Sequence, residues 1–129
     1  MRVLLDTHVL IWALMAPRRL PADAREVIET SASEVLFSAV GILEIAIKAS
    51  LGRRDFDFPP TEIADEAVRT GFVELPVRAS AAARVGELPR HHRDPFDRLL
   101  VAQALDEPAQ LLTADRTLAP YSELVWVLR

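Results

Sequence analysis

The chain contains no cysteine. Disulfide bridges and thiolate-bound metals are therefore excluded, and a cytoplasmic setting is the expected one. Glycine is scarce: Gly41, Gly52, Gly71 and Gly86 stand singly. No glycine-rich loop exists to cradle a nucleotide, which argues against P-loop and dinucleotide-binding proteins. Long hydrophobic runs are also missing, so no membrane span is expected. The N-terminal "MRVLLDTHVLIWALM" comes nearest to a secretory leader. Asp6 and His8 interrupt it, and no small-residue cleavage site follows. An excess of positive charge is absent too, since the formal net charge is -4. That disfavours strong non-specific binding to nucleic acid. It leaves room for an enzyme that holds phosphate through a metal.

The 129 residues present are 50% hydrophobic, which suits one domain over residues 1–129 with one core. A mean hydropathy of +0.15 is high for a protein with nothing to cover. A partner surface is therefore expected. Its expected place is the first two helices, because "HVLIWALM" carries more apolar side chains than one face needs.

Short apolar runs alternate with amphipathic ones. Strands are predicted at 2–5, 34–38, 72–76, 109–113 and 124–128. Helices are predicted over "HVLIWALM" and at 21–32, 39–52, 60–71, 78–88 and 95–107. Proline starts three of them and glycine follows two. This order predicts an α/β fold, a three-layer α/β/α domain with a central parallel sheet of about five strands. In such sheets ligands bind outside the carboxyl ends of the strands.

Acids fall at those ends. Asp6 follows the first strand directly, and Asp115 lies two residues beyond "AQLLT". Glu44 is expected in the second turn of a helix that Ser38 caps, with its side chain leaning back toward the strand ends. Its neighbours Leu43 and Ile45 are apolar, so it should be partly buried and need a counter-charge. In "HHRDPFDRLLVAQA" Pro95 suits the first helical position, which makes Asp94 the N-cap and Asp97 the third helical residue. Asp97 would then sit beside the apolar stripe and face a shared cleft. Four converging carboxylates repel one another. A hard divalent cation, Mg2+ or Mn2+, relieves the conflict and is suited to phosphoryl chemistry.

The ordered set "LLDTHVLIW", "GILEIAIK", "HRDPFDRLLVAQA" and "LLTADRTL" resembles the PIN-domain ribonucleases, and among them the VapC-like toxins of bacterial toxin–antitoxin pairs. The resemblance implies that Asp6, Glu44, Asp97 and Asp115 are the catalytic and metal-binding acids. It places Thr7 and Thr113 beside the metal and Ser38 at the site edge, and implies that all three bind substrate. It implies RNA as substrate, often tRNA or ribosomal RNA, a homodimer, and a cognate antitoxin covering the cleft. One departure is visible: this subgroup often has tryptophan before the second acid, where Leu43 stands here.

Other polar residues have plainer readings beside the functional ones. Arg98 and Arg116 each adjoin a site acid and are placed to hold phosphate, against surface solubility as the alternative. Lys48 follows Glu44 by four residues and can pair with it along the helix. Asp115 can merely open a turn. His8 is expected to be satisfied locally, His91 and His92 to be solvated, and Trp12 and Trp126 to be core or interface. A PIN-like module that binds RNA or protein without catalysis is the rival reading; its mark, the loss of an acid, is not present.

Overall fold

The computed structural model describes residues 1–129 and contains a five-stranded, wholly parallel sheet in the order β3-β2-β1-β4-β5. The strands are β1 (Arg2–Leu5), β2 (Glu34–Ser38), β3 (Val73–Leu75), β4 (Gln110–Thr113) and β5 (Val125–Val127). The helices are α1 (Thr7–Met15), α2 (Ala22–Glu29), α3 (Ala39–Ser50), α4 (Pro60–Thr70), α5 (Ala79–Arg84) and α6 (Pro95–Asp106). The α/β/α expectation thus stands. The helix predicted at 78–88 ends earlier and continues as a 3-10 turn, Val85–Glu87. Further 3-10 turns span Pro17–Arg19, Arg54–Phe56 and Arg116–Tyr121. Periodicity over three to six residues carries too little signal to announce them.

Alternation within the strands builds two cores. Val3, Leu5, Val35, Phe37 and Leu112 face one way and meet α1, α2 and α4. Leu4, Leu36 and Leu111 face the other way and meet Leu100, Val101 and Ala104 of α6. With both faces covered, the central strands can be apolar at every position. Gly71 closes α4 with φ 102°, a left-handed conformation that glycine adopts without strain.

The apolar surplus of α1 is not the exposed patch expected of it. Val9, Leu10 and Ile11 are buried, and of the larger side chains of α1 Met15 is the one strongly exposed. The exposed apolar row lies along α3 and its C-cap instead, at Leu43, Ile47 and Leu51. The reason is that α1 lies directly against the central strands, whereas the far side of α3 has no element over it.

Strand order reverses between β1 and β4. These neighbours are followed by different crossovers, so a crevice opens at their carboxyl ends. Asp6 leaves β1 there, and Thr113 ends β4.

Candidate active site

Asp6 caps α1. Its Oδ1 accepts the backbone N–H of Val9 at 2.8 Å, and its Oδ2 accepts the Thr113 hydroxyl. Only 7% of the residue is exposed. Burial pushes its pKa up; the bonds from Thr113 and Val9 oppose this, and the charge of Glu44 adds to it. Glu44 is also buried, in the second turn of α3. Its Oε1 accepts the Thr7 hydroxyl at 2.6 Å, and its Oε2 accepts from Lys48 Nζ at 2.5 Å. Gly41 permits this approach of α3 to α1, because a Cβ there would lie 3.3 Å from Thr7 Oγ1.

The "RDPFD" segment folds as its spacing predicts. Asp94 caps α6, accepting the Phe96 N–H at 2.8 Å, and Pro95 takes the first helical position. Asp97, one turn in, receives no short hydrogen bond; its nearest cationic or imidazole partner is His92 Nε2 at 3.5 Å. Burial, then the charges of Asp94, Glu44 and Asp6, push its pKa up to about 7, against a smaller opposing effect of His92. Asp115 caps the last 3-10 turn. Its Oδ1 accepts the Thr117 N–H at 2.9 Å and the Thr117 hydroxyl at 2.6 Å, and its Oδ2 lies 3.0 Å from His92 Nε2. Partial burial raises its pKa, but the bonds from Thr117 and His92 prevail and hold it below the usual carboxylate range.

These groups line one cleft of about 370 Å³: Asp6, Glu44, Asp97 and Asp115, with Asp94, Lys48, Thr7, His8 and Trp12 around them. The four predicted acids are therefore brought together from four separate segments. Asp94 proves to border the cleft as well as to cap α6. Lys48 has the partner its spacing predicted, and also stands 4.0 Å from Asp94 and over the Phe56 ring.

The residues expected to touch substrate are placed differently. Ser38 is 1% exposed, and its hydroxyl is spent on the Val40 N–H and on Gln103. Thr113 is fully buried; it donates to Asp6 and accepts the Asp115 N–H at 3.0 Å. Thr7, though it reaches the cleft wall, directs its hydroxyl at Glu44. All three orient acids or helix ends. Arg98 donates to the carbonyls of Val85, Leu88 and Pro89 and to the Tyr121 hydroxyl, so its guanidinium clamps a loop and does not face the cleft. Arg116 is exposed and borders a neighbouring recess with Ala119 and Arg129. His92 is not solvated, as expected of it, but inserted between Asp97 and Asp115. His91 does stay exposed, edge-on to Tyr121. Trp12 packs on the core yet also forms part of the cleft wall, under Arg19. Only the spacing of His92, two residues before the cap of a helix that carries a site acid, hinted at its place.

Thr113 ties two acids together, so its loss should be felt twice. Thr113→Val keeps the shape but leaves Asp6 without its hydroxyl donor and the Asp115 N–H without its acceptor. Each buried group left unpaired costs about 1–3 kcal/mol. A drop of that order in urea-melt stability is expected, and an unchanged midpoint would show that these bonds contribute nothing net.

The donor set suits a hard divalent cation. It is all oxygen, and Asp97 offers a carboxylate that no protein group neutralises at short range. Repulsion already present in the cleft would be relieved by such an ion.

Comparison with known proteins agrees with this architecture. The PIN domain family matches residues 3–124. Ribonuclease VapC22 of Mycobacterium tuberculosis is 35% identical over 119 residues, covering 90% of this chain and 88% of that protein. The crystal structure of VapBC2 from Rickettsia felis, bound to a DNA fragment from their promoter, superposes with a TM-score of 0.71 at 15% identity, over 100% of both chains. A domain of a functionally unknown protein from Methanocaldococcus jannaschii superposes with a TM-score of 0.57 at 17% identity, over 99% of this chain and 91% of that one. With the family match running from β1 to the residue before β5, the chain belongs to the PIN domain family.

Proposed function

We propose that this chain is a divalent-metal-dependent endoribonuclease, the toxin of a toxin–antitoxin pair. The carrying observation is the meeting of Asp6, Glu44, Asp97 and Asp115 in one cleft at the carboxyl edge of the sheet. The 35% identity to a protein named ribonuclease supports RNA as the substrate, with tRNA or ribosomal RNA as the class to test. The fold shared with VapBC2 supports a cognate antitoxin as partner; a homodimer in a cytoplasmic setting completes the reading. No helix is long and apolar enough to cross a membrane.

Asp6, Glu44, Asp97 and Asp115 would hold Mg2+ or Mn2+. When bound, such an ion polarises a phosphodiester and lowers the pKa of its water. The chain's own part is preorganisation. Val9 and Thr113 fix the Asp6 carboxylate, and Thr7 fixes that of Glu44. Lys48 offsets part of the negative charge that would otherwise repel an approaching phosphate. In the metal-free protein Asp97 takes up or releases its proton close to neutral pH, and a bound cation would displace that proton. His8 and Trp12 give the cleft an aromatic wall on which an unpaired base can rest.

The test is cleavage of total tRNA and ribosomal RNA by the purified protein, with Mn2+ or with EDTA, beside Asp6→Asn. Asparagine still caps α1, so the variant should melt near wild type. Fragments are expected only from wild type with metal. Cutting in EDTA, or by Asp6→Asn, would refute the metal-dependent reading. Growth arrest by Asp6→Asn in cells would favour a non-catalytic module.

A further inference from the structure

We infer that His92 is a positioning residue for Asp115 and Asp97, held as the neutral Nε2–H tautomer and acting as a hydrogen-bond donor, not as a ligand to the metal. The inference rests on the proposed metal centre.

The tautomer follows from one contact. His92 Nδ1 lies 3.0 Å from the backbone N–H of Asp94. A peptide N–H can only donate, so Nδ1 presents a lone pair. The single proton of a neutral imidazole must then sit on Nε2. That Nε2–H points at Asp115 Oδ2, 3.0 Å away, with Asp97 Oδ2 at 3.5 Å. His92, Asp97 and Asp115 each offer an atom within 4.8 Å of the others, a spacing that resembles a ligand set. A nitrogen that carries a proton has no lone pair for a cation, so the imidazole cannot join that set without losing its bond to Asp94.

The imidazole is delivered by a scaffold. The His92 backbone N–H donates to the Tyr121 hydroxyl at 2.9 Å. Arg98 donates to that same hydroxyl at 3.0 Å and to the carbonyls of Val85 and Pro89, each at 2.9 Å. The loop before α6 is thus tied both to α6 and to the turn after β4. His92 bridges the two elements that carry Asp97 and Asp115. With Thr117 on Oδ1 and His92 on Oδ2, the Asp115 carboxylate is held at both oxygens and its rotation is restrained. Partners that orient a ligand in this way typically contribute about 10–100-fold to metal affinity or activity.

The experiment uses the full-length protein. Imidazole 15N spectra of wild type should show a protonated Nε2 and an unprotonated, hydrogen-bonded Nδ1 for His92. Three variants then separate the roles. Glutamine places an N–H near the Nε2 position, asparagine places an acceptor near Nδ1, and alanine supplies neither. In calorimetric titration with Mn2+, His92→Ala and His92→Asn should bind about 10–100-fold more weakly. His92→Gln should stay within a factor of a few of wild type. Against RNA the loss should appear in kcat with KM unchanged. A proton on Nδ1, or a His92→Gln variant as weak as His92→Ala, overturns the inference. Should a variant fail to fold, the wild-type spectrum still decides the tautomer. A wild type that binds no Mn2+ would overturn the metal centre itself, and with it the positioning role.

Discussion

Asp97→Asn is expected to abolish stabilisation by Mn2+ and to lower RNA cleavage by at least about 100-fold, while making the metal-free protein more stable at neutral pH. The physical source is the raised pKa. Asp97 holds its proton up to about pH 7 in the folded protein, against 3.8 as the ordinary value. Between those pH values the folded state binds a proton that the unfolded chain has released. Stability of wild type therefore falls as pH rises from about 4 to about 7, and the fall then levels off. At about 1.4 kcal/mol per pKa unit, the loss is a few kcal/mol at most. Asparagine carries no proton to lose, so the slope should shrink in melts run across that range. Metal acts in the opposite sense, since it binds the ionised carboxylate and should bind more tightly as pH approaches 7. At a hundredfold excess over its Kd, Mn2+ should stabilise wild type by about 2.7 kcal/mol. Equal Mn2+ shifts in wild type and Asp97→Asn would remove Asp97 from the metal site. Asp94→Asn is the control: the cap survives, and loss of the nearby charge lets Asp97 titrate lower.

Arg98→Ala should lower stability by about 2–4 kcal/mol, because a guanidinium bonded to several carbonyls at once leaves each of them short of a donor. Arg98→Lys should recover little of it. An ammonium is a compact charge without the planar fork that reaches Val85, Leu88 and Pro89 together. Chemical denaturation measures both variants. The same change should loosen the loop that presents His92, so Mn2+ affinity should fall with it. If Arg98→Ala melts like wild type but raises KM for RNA, the residue contacts phosphate after all, as its place beside Asp97 first suggested.

The sequence by itself determined the architecture and singled out four acids that the structure gathers in one cleft. Apolar strand runs, prolines at helix starts and the glycine after α4 announce a parallel sheet covered on both sides. Those signals are local, since each element's own period and caps reveal it. Asp6, Glu44, Asp97 and Asp115 were legible for a related reason. A carboxylate at a strand end, or inside an apolar helical run, is costly unless something uses it. What only the tertiary structure decided is how the neighbours are oriented. Thr113 lies next to Ala114 in the chain but bonds Asp6, 107 residues away. Arg98 adjoins Asp97 yet turns the other way, because successive positions on a helix diverge by about 100°. His92 looked like loop, since nothing local shows that Tyr121 and Arg98 fold the chain back over the cleft. Hydrogen bonds between distant segments depend on where the sheet brings those segments, and that placement leaves no periodic mark in the sequence.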